Sequence, residues 1–248
     1  MAMKIAVINP NTTASMTDKI AQAARDVSYS ETEIMAATSS MGPASIEGYY
    51  DEALAVPGLL LEISKAEKAG ADAAIIACFD DTGLDAARSL ARIPVLGICE
   101  AALATAAYIA QRYTVITTAE QSRLPVEGLV RRYGHGQKCN VRAANISVLS
   151  LEDPKSNARD LLRNEITSAL NEDKTEAIVL GCAGMADLVM NLRSEFGLPV
   201  IDGVAAAVKH AEGLVALGLI TSKRGPYVHP ATKPYYGQLR EFSPQVLS

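Results

Sequence analysis

Two cysteines, Cys78 and Cys182, close apolar runs in two similar halves of a 248-residue chain: Ala-Ala-Ile-Ile-Ala stands before the first and Glu-Ala-Ile-Val-Leu-Gly before the second. A thiol titrates close enough to neutrality to give or take a proton. Two thiols facing one another across a cleft suit a reaction in which a proton leaves one face of a carbon and another arrives on the opposite face.

The pairing rests on a repeat. Lys4-Ile-Ala-Val-Ile-Asn-Pro-Asn-Thr aligns with Tyr113-Thr-Val-Ile-Thr-Thr, placing Asn11 opposite Thr118 at an offset of 107 residues. Pro94 and Pro199 are 105 apart and the two cysteines 104 apart. Three landmarks with nearly one offset describe a duplicated unit.

Apolar strand-like runs alternate with helix-period segments, at 4–8, 33–37, 73–77 and 94–98, then 113–117, 146–150, 177–181 and 199–201. This alternation predicts an α/β fold of two pseudo-symmetric domains, each a parallel four-stranded sheet flanked by helices, with the active site in the cleft between them. The expected boundaries are 1–100 plus 213–248 for the first domain and 101–212 for the second, with the tail from Thr221 packing across the first. Ligands of such sheets bind beyond the carboxyl ends of the strands, where Asn11, Cys78, Thr118 and Cys182 all fall. A helix-like segment follows each cysteine (84–91 and 185–196), so N–H groups of its first turn are expected near each sulfur, lowering its pKa.

The net charge of −5 supplies no basic field for nucleic acid, and no run approaches the ~20 apolar residues of a membrane span. The first residues enter a strand directly, which predicts a cytoplasmic protein. Four cysteines without a Cys-x-x-Cys spacing, and three dispersed histidines, predict free thiols and no metal. No pyridoxal-phosphate or phosphate-loop motif is present, so no cofactor is expected. The alanine-rich segment 100–112 predicts close helix packing and also suits contacts in a homo-oligomer.

Plainer readings stand beside these. A cysteine ending a strand can be a small buried hydrophobe. Asn-Pro-Asn-Thr suits a turn, Thr118 can cap a helix near Gln121, Asp80 and Asp81 can cap the helix after them, and Glu47 with Asp51 fits a solvated helix start. Gly181 and Gly184 fit close backbone approach.

Taken together, Ile-Asn-Pro-Asn-Thr at 8–12, Ser-Ile-Glu-Gly at 45–48, Ala-Cys-Phe-Asp-Asp-Thr-Gly-Leu at 77–84, Leu-Gly-Cys-Ala-Gly-Met at 180–185 and Pro-Val-Ile-Asp-Gly-Val at 199–204 resemble the hydantoin racemases of the aspartate/glutamate/hydantoin racemase superfamily. The resemblance implies a cofactor-independent 1,1-proton transfer on a small molecule, a 5-substituted hydantoin, with Cys78 and Cys182 as the two bases. It also implies that Asn11 and Thr118 are the polar residues at the first strand end of each half. Backbone N–H groups at Phe79, Asp80, Ala183 and Gly184 are candidate donors to an enolate, and Phe79 and Ile46 are candidate walls for the 5-substituent. Glutamate racemases look like Gly-Cys-Thr-His at the second cysteine; here Ala183-Gly184 replaces Thr-His, favouring a neutral cyclic imide over an amino acid. Allantoin racemisation is the rival within the same motifs. Arylmalonate-type decarboxylases keep one cysteine, maleate isomerase relatives use one as a nucleophile, and two-lobed binding proteins share the plan without needing paired thiols.

Overall fold

The computed structural model describes residues 2–153 and 155–244. Met1, Pro154 and residues 245–248, the end of the tail assigned to the first domain, lie outside the described residues.

The first sheet contains β1 (Met3–Asn9), β2 (Thr32–Thr38), β3 (Ala73–Ile76) and β4 (Val95–Gly97), all parallel and in the order β2-β1-β3-β4. The second contains β5 (Tyr113–Thr117), β6 (Cys139–Ala143), β7 (Ala177–Gly181) and β8 (Val200–Asp202), parallel and in the order β6-β5-β7-β8. Helices cover both faces of each sheet, so the inner strands read as unbroken apolar runs: β3, β5 and β7 are buried from end to end. The repeat is thus a repeat of topology.

Crossovers in the first half are α1 (Ala14–Val27), α2 (Tyr49–Lys68) and α3 (Leu84–Leu90). Helix α4 (Ile98–Ile109) leads into the second half, which adds α5 (Glu120–Arg132), α6 (Ala158–Ser168), α7 (Val189–Phe196) and finally α8 (Gly203–Ala216). One core runs through both lobes: Val7 and Ile75 of the first sheet, Ala102 and Ala106 of α4, Val204 and Val208 of α8, and Val115 and Val179 of the second sheet form a single cluster. The alanines of α4 serve this contact. Gly203 permits it, because a Cβ there would meet the Ile98 carbonyl oxygen at 2.6 Å. Separate cores lie on the outer faces, under α2 and α3 in one lobe and under α6 and α7 in the other.

The expected strand at 146–150 is not one. The edge strand is Cys139–Ala143, and 148–152 is a short 3₁₀ turn capped by Ser147. Ile146 and Val148 are apolar because they are buried in the connection from β6 toward α6, not because they pair in a sheet. The helix expected over 185–196 is split into a 3₁₀ segment, Ala183–Leu188, and α7. Beyond α8 the tail lies along the first lobe: Thr221 N–H donates to the Arg92 carbonyl at 2.9 Å, and Lys223 Nζ donates to the carbonyls of Arg88 and Ser89. Among the described residues no helix is long and apolar enough to cross a membrane.

Candidate active site

In each sheet the chain leaves the first strand toward one neighbour and returns on its other side, so a crevice opens above the carboxyl ends of β1 and β3, and of β5 and β7. Cys78 follows β3 and Cys182 follows β7. The two crevices face each other and merge into one cavity lined by Asn9, Asn11, Cys78, Phe79 and Asp80 from the first lobe and by Thr117, Thr118, Cys182 and Ala183 from the second. Ile46 and Val148 close it from the loops. Two wider surface clefts lie elsewhere, one beside β6 within the second lobe and one between α4, α8 and the tail; neither is lined by Cys78 or Cys182.

Of the residues predicted from sequence, Cys78, Cys182, Asn11, Ile46, Phe79, Asp80, Thr118 and Ala183 all line this cavity. Gly184 does not; it packs against Leu151 and Met16, and its N–H reaches the Cys182 sulfur. Both cysteines are partly exposed, toward the cavity, whereas Cys99 and Cys139 are buried. All four are free thiols.

Sequence reasoning missed Asn9, Thr117, Ser122 and Val148. Asn9 is 1% exposed, and its side chain donates to Asn11 Oδ1 at 2.9 Å and Thr17 Oγ1 at 3.1 Å. Thr13 N–H donates to the same Asn11 oxygen at 2.9 Å. With its oxygen so engaged, Asn11 has its amide nitrogen left, and that nitrogen meets Met16 Sδ at 3.6 Å, a weak acceptor. Asn11 is therefore a held donor. The one visible signal of Asn9 is that it is a polar residue ending an apolar strand. Thr118 does not cap α5, whose N-cap is Ala119 without a side-chain bond.

Gly181 is required by close approach: a Cβ there would meet the Ile116 carbonyl oxygen at 2.8 Å and Thr117 Cα at 2.9 Å. Asp81, expected to cap the helix after it, instead caps α4, accepting from the N–H groups of Cys99 and Glu100 at 3.0 Å each. Glu47 is no solvated helix start. Its carboxylate accepts from Ser45 Oγ at 3.0 Å and from Val148 N–H at 3.2 Å, crossing the mouth of the cavity. On the same side Lys19 pairs with Glu152 at 2.8 Å. Only the Asp51 part of that reading holds, since Asp51 accepts from Glu47 N–H at 3.1 Å.

The expected lowering of the thiols is reversed. Burial, then the charge of Asp80, pushes Cys78 well above the ordinary thiol range, against a hydroxyl from Thr82 and the Asp80 N–H. Burial pushes Cys182 up to about 12 despite the Gly184 N–H. Helix α3 begins only at Leu84, too far on to act on the Cys78 sulfur, and among the described residues no lysine, arginine or histidine lines the cavity. Burial, then the charges of Glu52 and Asp81, raises the Asp80 carboxyl to about 7. The two sulfurs also feel each other, each negative charge opposing the other, so one thiolate and one thiol is the favoured pair. Among the described residues no cluster of histidine, cysteine and carboxylate groups is able to hold a metal.

Comparison with known proteins agrees with this geometry. The Asp/Glu/Hydantoin racemase family model matches residues 5–211. A hydantoin racemase of Rhizobium meliloti is 49% identical over 236 residues, 95% of this chain and 98% of that one. A second, from Pseudomonas sp. (strain NS671), is 46% identical over 241 residues, covering 97% of both chains. Among solved structures, an allantoin racemase from Klebsiella pneumoniae superposes with a TM-score of 0.94 at 46% identity, over 98% of this chain and 99% of that one. The chain belongs to the Asp/Glu/Hydantoin racemase family and is an isomerase of the racemase kind.

Proposed function

We propose that the protein racemises 5-substituted hydantoins by two-base proton transfer, without a cofactor. The observation that carries this reading is the pair Cys78 and Cys182, one from each lobe, at equivalent strand ends and open to one cavity. One cysteine, as thiolate, takes the hydrogen from C5; the electrons left behind delocalise into the C4 carbonyl. The other, as thiol, returns a proton to the opposite face, and the two protonation states are exchanged. Asn11 Nδ2, Thr118 and the N–H groups after each cysteine supply hydrogen bonds to the developing enolate and the ring; a preorganised donor of this kind is worth ~3 kcal/mol of barrier.

The cavity favours an apolar 5-substituent, since Met16, Ile20, Ile46, Phe79 and Val148 make up its apolar wall. Allantoin is the second reading, supported by the close structural likeness to an allantoin racemase. Decay of optical rotation, followed side by side for a hydantoin with an apolar substituent and for allantoin, decides between them. For the chemistry itself, Cys78→Ser and Cys182→Ser are each expected to lower steady-state racemisation by roughly 10²–10⁴-fold. Full activity in either variant overturns the two-base reading; unchanged ligand affinity with no activity in the parent protein favours a binding protein. We place the protein in the cytoplasm as a homo-oligomer, the latter supported by the exposed apolar side chains Tyr108, Ile109, Leu217 and Ile220 and checked by light scattering.

A further inference from the structure

Thr82 is 0% exposed, and its hydroxyl is the buried side-chain oxygen that finds no hydrogen-bond partner of good geometry among the described residues. Such an orphan is costly, because the hydroxyl has given up water and received nothing in return. The backbone on either side is shaped to keep it there. Asp81 N–H closes a turn onto the Cys78 carbonyl at 3.1 Å, Asp81 itself sits in the left-handed region at φ +47°, and Gly83 follows at φ +64°. A non-glycine residue at positive φ is a conformation the chain adopts only under constraint. The polar group that the Thr82 hydroxyl faces is the Cys78 sulfur, on which it acts to favour the charged form.

Resting on the two-base reading above, we propose that Thr82 is a positioning residue for Cys78, its hydroxyl donating to the sulfur once the proton has left and so holding the thiolate toward the cavity. A hydroxyl with one rotatable O–H suits this task, since it donates to a thiolate without carrying a charge of its own. The groups facing Cys78 that act against it are Asp80 and Cys182, both of which oppose negative charge on the sulfur. Cys182 has a different helper, the Gly184 N–H. The two thiolates are therefore stabilised by unlike groups, although the fold that carries them is repeated.

Steady-state rates alone do not reveal this asymmetry. Enantiomers are equal in energy, so kcat/KM must fall equally in both directions whichever cysteine is impaired. The test is the pH dependence of alkylation by iodoacetamide, read separately at Cys78 and Cys182 by peptide mass spectrometry in the substrate-free protein, for Thr82→Val and Thr82→Ser. Valine keeps the shape and removes the hydroxyl; serine keeps the hydroxyl. Expected for Thr82→Val are a shift of Cys78 alkylation to higher pH, no shift at Cys182, racemisation slower by about tenfold, and a Tm higher by about 3 °C because the orphan is gone. Thr82→Ser is expected to restore the Cys78 profile and most of the rate. An unmoved Cys78 profile in Thr82→Val, or serine behaving as valine does, overturns the proposal. Either result leaves the two-base reading standing, because that reading fails only through activity retained without Cys78 or Cys182.

Discussion

The Tyr133 hydroxyl donates to Asp81 Oδ2 at 2.7 Å, joining the loop that carries Cys78 to the C-terminal end of α5 in the opposite lobe. The same carboxylate caps α4, the helix that connects the lobes. One buried side chain thus fixes the Cys78 loop, the connecting helix and the second lobe relative to one another. Tyr133→Phe removes one of these three bonds and is expected to cost about 1–2 kcal/mol, measured by urea unfolding. Racemisation should fall less than the rate lost in Cys78→Ser, since the two backbone donors keep Asp81 in place. A variant as stable as the parent shows that the bond adds nothing beyond packing.

Gly181→Ala tests the close approach of β7 to β5. The atoms that the new methyl group meets are backbone, at 2.8 and 2.9 Å, and backbone in a central strand does not yield cheaply. Destabilisation of about 2–4 kcal/mol is expected, together with loss of activity because Cys182 is the next residue. Gly184→Ala is the comparison: its nearest neighbours are the side-chain ends of Leu151 and Met16 at 3.3 and 3.4 Å, which move aside more readily, so a loss below about 1 kcal/mol is expected. Equal losses at the two positions refute the distinction.

Much of this was legible because central parallel strands are buried on both faces and must be apolar throughout. The runs at 4–8, 113–117 and 177–181 locate β1, β5 and β7 to within a residue or two. The edge strand β6 was not legible: Asn140 is exposed and Arg142 pairs with Glu165 and Asp173, while the more apolar Ile146 and Val148 lie in a loop. In the site, the cysteines, Asn11 and Thr118 stood out because the duplication repeats strand ends. Val148 and the Glu47 bond to it carry no local signature, since they come from contacts about a hundred positions apart. The thiols depart from the sequence-based expectation for a physical reason: short helical turns offer one N–H apiece, and desolvation outweighs that.

Glu47 and Lys19 tie the two loops over the cavity mouth to the opposite lobe. Glu47→Ala frees the Val148 N–H and loosens this closure, and the expected result is a KM higher by about tenfold with a smaller change in kcat. Lys19→Met breaks a single, partly buried ion pair on the same side and should change KM less than threefold, as one pair of this kind contributes about 1 kcal/mol. Steady-state kinetics on both variants separates the bonds; a kcat loss in Glu47→Ala with KM unchanged places Glu47 in the chemistry instead.

Asp80 offers a test in which stability and activity change together with pH. Its carboxyl is raised to about 7 in the folded protein, first by burial and then by Glu52 and Asp81, whereas the unfolded chain ionises near 4. A raised carboxyl favours the protonated fold, so the native state binds more protons than the unfolded one between these values, and the parent protein loses stability as pH climbs from about 4 to about 7. Asp80→Asn has no charge to bury there: its Tm should exceed that of the parent at pH 7 and approach it at pH 4, with the contribution of Asp81 common to both. The Asp80 charge also holds both sulfurs up, so the amide should move the acid limb of the kcat/KM profile to lower pH and raise the rate at neutrality. A Tm difference that does not vary with pH refutes the buried charge. A rate that falls at every pH, with the limb in place, shows instead that the Asp80 side chain contacts the substrate.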